Sequence, residues 1–62
     1  MTDTDREAAA QFFDKLAAKA EKSINSAEVR HDAEAVENIK RKLSYYKLAA
    51  AELRGAARQN QN

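Results

Sequence analysis

Seven apolar residues in the second half of the chain, Val36, Ile39, Leu43, Tyr46, Ala50, Leu53 and Ala57, follow one another at alternating steps of three and four. That alternation belongs to one edge of an α-helix, with the residues at the a and d positions of a heptad. A strand would scatter the same residues over both of its faces, because its side chains alternate every second residue. The spacing therefore predicts a long helix with an apolar seam that something must cover. Beside the seam, Lys40, Lys47 and Arg54 recur one heptad apart at the e positions and make a basic stripe.

What covers the seam is limited by length. In 62 residues the bulky apolar side chains are few: Phe12, Phe13, Leu16, Ile24, Val29, Val36, Ile39, Leu43, Tyr45, Tyr46, Leu48 and Leu53. Below ~70–80 residues a single core rarely supplies more than ~3–5 kcal/mol, so small chains usually carry an additional fastening. With no cysteine, neither a disulfide nor a thiolate metal site can provide it. Association is the fastening that remains. The same absence fits a reducing compartment.

Ala, Glu, Lys, Leu and Arg account for 35 of the 62 residues, a composition typical of long helices and coiled coils. There is no proline, and the one glycine is Gly55. Upstream of the seam, Thr2 or Asp3 is suited to cap a first helix, with Asp5 and Glu7 opposing the positive end of its dipole. Its apolar face is expected to run Ala9, Phe13, Leu16, Ala20 and Ile24 or Ala27, widened by Phe12 and Ala17. Ser23, Asn25 and Ser26 weaken the pattern because their side chains compete for backbone hydrogen bonds. Asp32, followed by Glu34 and Glu37, then reads as a fresh N-cap with an acidic first turn.

These signals predict an all-α fold, an antiparallel two-helix hairpin that dimerises into a four-helix bundle. One domain spans 1–58, with helix one at 3–27, the turn at 28–31 and helix two at 32–57. Residues 59–62 form a disordered tail. A single continuous helix is the alternative, since no glycine or proline enforces the turn. Gly55 is either a C-cap or a residue the helix runs past. The acidic N-terminus has no signal-peptide character, and the longest apolar run, Leu48 to Ala51, cannot span a bilayer. A cytoplasmic protein without membrane contact is the expectation.

Candidate chemistry is sparse. His31 beside Asp32 could orient a base toward Ser23 or Ser26, but no oxyanion device or glycine-rich loop accompanies it. Glu28 and His31 have the Glu-x-x-His spacing of di-iron bundles, yet the motif occurs once and a metal needs more ligands. No catalytic residue, metal site or cofactor is expected.

Two kinds of surface remain. Phe13, Leu16, Ile24, Val36, Ile39, Leu43, Tyr46 and Leu53 form the expected dimer or partner interface, and Tyr45 with Leu48 a candidate second contact patch. The net charge of +1 conceals −4 over residues 1–38 and +5 over residues 39–62. Either the charged ends of the hairpin meet each other, or the basic flank serves a nucleic acid through Lys40, Arg41, Lys47 and Arg54. The preferred reading is a small non-enzymatic regulator or adaptor that binds itself and another protein, in the style of bacterial or phage accessory proteins. A nucleic-acid-binding regulator is the alternative.

Overall fold

In the computed structural model, which describes residues 2–59 and side chains as far as Gly55, two helices lie antiparallel along each other. Helix α1 spans Asp3–Val29 and helix α2 spans Ala33–Gln59. The hairpin expected from the heptad is thus the fold. Helix one runs two residues further than expected and helix two begins at Ala33, so the link is only Arg30, His31 and Asp32. Helix two continues past the expected end at 57 to Gln59, and the rest of the expected tail, 60–62, lies outside the described residues.

Thr2 starts α1. Its hydroxyl accepts from the Asp5 backbone N–H at 3.1 Å, and the Asp5 carboxylate accepts from the Thr2 N–H at 3.3 Å. This reciprocal pair satisfies two backbone donors that a helix start otherwise leaves open. At the other end, the His31 N–H donates to the Glu28 carbonyl and the Asp32 N–H to the Ala27 carbonyl, each at 3.0 Å. These two bonds are the Schellman closure of a helix. Asp32 then caps α2, its side chain accepting from the Ala35 N–H at 3.1 Å. One residue therefore ends the first helix and begins the second, which is how three residues reverse the chain without glycine or proline.

The closure needs a left-handed backbone at His31, where φ is 59°. A Cβ is unfavourable there by roughly 1–2 kcal/mol, and glycine usually holds the position. Part of that strain is offset by the greater freedom of glycine in the unfolded chain. His31→Gly is accordingly expected to stabilise the hairpin by about 0.5–1 kcal/mol. The urea midpoint at fixed protein concentration reads it, and His31→Val should move the midpoint the other way.

Gly55 is not a cap. The helix runs through it, and a methyl group built there would meet nothing within 4 Å. Gly55→Ala should raise stability by about 0.5–1 kcal/mol, again seen as a higher urea midpoint.

The interior is made almost entirely of methyl groups. Ala10, Ala17, Ala20, Ala27 and Ala50 are buried, and Ile24 is the one larger side chain among the buried residues described. Ala10, Phe13, Ala17, Ala20, Ile24 and Ala27 step by three and four, which makes 10, 17 and 24 the a positions of α1 and 13, 20 and 27 its d positions. This corrects the expected face of helix one. Ala10 replaces Ala9 on the seam, Ala17 is central to it rather than a margin, and Leu16 and Phe12 stand at its edge. Among the described residues five of the six buried ones are alanine, so the α1 positions that face α2 most directly are mostly small and Leu16 and Phe12 lie outside them.

The result is a rod. Its Cα extents are 47 × 15 × 12 Å and its radius of gyration is 14.3 Å, against about 10–11 Å for a compact domain of this length. Two helices side by side make a single layer, and among the described residues no second layer lies over the seam.

Candidate functional site: two unlike edges of the hairpin

On an antiparallel pair, the e positions of both helices share one edge and the g positions share the other, with the d positions turned toward the g edge. In α1 the e positions are Glu7, Asp14, Glu21 and Glu28, and in α2 they are Lys40, Lys47 and Arg54. One edge is therefore acidic along one helix and basic along the other.

Arg54 is the centre of that edge. Its Nε and Nη2 donate to the two Glu7 carboxylate oxygens at 3.1 and 2.8 Å, and Nη2 also donates to Asp14 Oδ2 at 2.9 Å. A longer bond from Nη1 to Asp14 Oδ1 measures 3.4 Å. The planar fork of arginine allows this double engagement, which a lysine could not reproduce. One turn-ward heptad on, Lys47 pairs with Glu21 at 3.8 Å. The hydrogen bonds from Arg54 hold the Glu7 and Asp14 carboxyls below their ordinary values, and the two carboxylates raise the guanidinium in turn.

All three partners are substantially exposed, so solvent screens the pairing and its main effect is to set helix register. Carboxyls lowered in the fold stabilise it above their unfolded values and lose that contribution as they are protonated. The melting temperature should hold level from neutral pH to about pH 5 and fall below about pH 4. Arg54→Gln should flatten that acid limb in a thermal melt series.

This arrangement bears directly on the expected nucleic-acid contacts. Lys47 and Arg54 are committed to Glu21, Glu7 and Asp14, whereas Lys40 and Arg41 make no ion pair among the described residues. The four cations do not form one free stripe. Interleaved carboxylates would repel a phosphate backbone along most of its length.

The opposite edge is mostly apolar, with Ser23 and Lys42 as its polar g positions. It carries Ala9 and Leu16 at g of α1, Ala35 and Ala49 at g of α2, and the d residues Phe13, Ile39, Tyr46 and Leu53 turned toward it. Phe12 and Tyr45, at the c positions beyond, are 60% and 62% exposed. The four aromatic rings form one cluster. Phe13 lies 6.0 Å from Phe12, 6.3 Å from Tyr45 and 6.3 Å from Tyr46, and the two tyrosine rings are 6.0 Å apart. Most of these contacts are edge-to-face, the favourable arrangement for aromatic quadrupoles. Turn-ward of the cluster, Leu16, Lys19, Ala20, Ser23, Ile39, Lys42 and Tyr46 line a shallow groove.

The expected interface set is thereby divided. Ile24 is buried inside the hairpin and has nothing left to offer a second molecule, while Val36 and Leu43 line the seam at a positions, half-buried. Phe13, Leu16, Ile39, Tyr46 and Leu53 lie on the open edge. The expected pairing of Tyr45 with Leu48 as one patch also separates. Tyr45 packs into the aromatic cluster, whereas Leu48, 66% exposed at an f position, lies on the far side without a ring contact. The cluster itself escaped the sequence reading, although Phe12–Phe13 and Tyr45–Tyr46 stand at similar distances from the turn, a signal available once a hairpin is assumed.

His31 is exposed in the turn, and no hydrogen bond joins its ring to Ser23, Ser26 or Asp32 among the described residues. No group of three or more His, Asp or Glu side chains is placed to hold a metal ion among the described residues. No helix is long and apolar enough to cross a membrane among the described residues. No protein family, curated protein or solved structure matches this chain.

Proposed function

We propose that the chain is a non-enzymatic protein-interaction module, a small regulator or adaptor, and that it acts as a homodimer in which two hairpins make a four-helix bundle. The observation that carries this reading is the contrast between the two sides of the seam. Methyl groups fill the interior, while Phe12, Phe13, Leu16, Ile39, Tyr45 and Tyr46 stay half-buried or exposed along one edge. Monomeric proteins rarely leave a contiguous apolar surface of this kind uncovered, and such surfaces mark sites of association. Covering the edge with a second copy buries the large side chains that the hairpin cannot bury alone. Leu48 stays on the outside of such a bundle, where it is open to another protein.

Sedimentation equilibrium tests the reading. The expected species is twice the 6.9 kDa chain mass at micromolar concentration, dissociating on dilution with loss of helix content. A monomeric mass throughout, with full helicity, would remove the support for a homodimer.

A further inference from the structure

The open edge carries charges as well as rings, and their order along the rod is not arbitrary. At the c and g positions flanking the aromatic cluster, Asp5 and Glu52 lie toward the chain ends, while Lys19 and Lys42 lie toward the turn. All four are exposed, and Lys19, Lys42 and Glu52 make no ion pair among the described residues. They differ in this from Arg54 and Lys47 on the other edge, whose charges are matched within the hairpin.

The midpoint between Asp5 and Lys19 is Phe12, and the midpoint between Lys42 and Glu52 is Lys47. In the antiparallel pair these two levels fall within about one helical turn of each other, at the aromatic cluster. The face is thus acidic at one end, aromatic in the middle and basic at the other end. Such a face is complementary to itself when one copy is reversed.

Resting on the homodimer reading above, we infer that two copies pack these faces about a two-fold axis crossing both helices at the aromatic cluster, with their turns at opposite ends. Each α1 then lies antiparallel on the α1 of the second copy, and each α2 on its α2. Lys19 of one copy meets Asp5 of the other, Lys42 meets Glu52, and each pair occurs twice. The other two-fold arrangement, with both turns at the same end, lays α1 on α2 of the second copy. It would set Lys19 over Lys42 and bring Asp5 toward Glu52, so like charges would face each other at both ends.

A second feature of the face agrees with this choice. The pivot lies about four residues from the middle of α1, toward the chain ends, so reversed α1 helices overhang by roughly 12 Å at each turn end, whereas on α2 the pivot is within about one residue of the middle and the helices overlap almost fully. The overhanging part of this face carries Ser23 and Ser26 on α1, polar residues that need no cover.

Charge exchange between Lys42 and Glu52 tests the orientation, because both are exposed and neither belongs to the seam or a cap. Sedimentation equilibrium at low salt is expected to show Lys42→Glu and Glu52→Lys each weakening the dimer on the order of tenfold. Mixing the two variants, or combining both substitutions in one chain, should restore wild-type affinity, and added salt should shrink all the differences. Circular dichroism of each variant checks that the helices persist. If Lys42→Glu instead tightens the dimer, or if neither single variant changes it, the inferred orientation fails while the homodimer stands. If the wild-type chain is monomeric at millimolar concentration, the homodimer reading fails and takes this inference with it.

Discussion

Tyr46→Glu is expected to raise the dimer dissociation constant by at least about a hundredfold, leaving a monomer of reduced helicity. Tyr46 occupies a d position of α2, half-buried, with its ring against Phe13 and Tyr45. A carboxylate there would have to be desolvated wherever a second molecule covers the open edge, and pairing it with Lys42, one turn away in the same groove, would take that cation from the second copy. It would also take a ring out of the cluster that joins the two helices, so the hairpin itself loosens. Leu48→Glu is the matched control. Leu48 is nearly as bulky but lies at an f position on the far side, and its replacement should leave the self-association constant within about twofold. Size-exclusion chromatography with light scattering over a dilution series distinguishes the two variants.

The second large effect comes from enlarging the seam. Ala27 and Ala10 are fully enclosed between the helices. Ala27→Leu would drive three further carbons into a space that fits a methyl group, at a cost of about 1–3 kcal/mol. Against the ~3–5 kcal/mol that a single core in a chain this short rarely exceeds, that is a large share. Circular dichroism melts should show it as a broad, early transition. Ala18→Leu, one position from Ala17 but facing solvent, should have almost no effect, because both residues are good helix formers and nothing crowds that site. The contrast separates close packing of the helices from a general intolerance of bulk.

How legible this was in the sequence differs between the two helices, for a physical reason. In α2 the seam positions include valine, isoleucine, leucine and tyrosine among polar neighbours, so the heptad phase is unambiguous. In α1 the seam is alanine, and Ala8, Ala9 and Ala10 stand in a row. Side-chain size does not say which of the three faces inward, and Leu16 and Phe12 pull a hydrophobicity argument toward the edge they occupy. The partner helix decides, through how closely it approaches.

The turn illustrates a second limit. Asp32 is readable as a cap from the acids that follow it, but the left-handed residue before it is a histidine. Glycine or asparagine is the ordinary signal for that conformation, and without it the reversal cannot be placed to the residue. The ionic edge was half legible. The proximity of Arg54 to Glu7 follows from folding the chain back on itself. Its simultaneous grip on Asp14 needs the helix phase of α1, which the alanine row conceals. The charge order on the open edge was hidden for the same reason.

Dependence of thermal unfolding on protein concentration tests most directly whether this hairpin relies on a second copy. Circular dichroism melts across a thousandfold dilution are predicted to show one cooperative transition whose Tm falls steadily as the chain is diluted, because unfolding then includes dissociation. A sharp transition at a Tm that stays constant over that range, from a species with the 6.9 kDa mass of a single chain, would contradict the account.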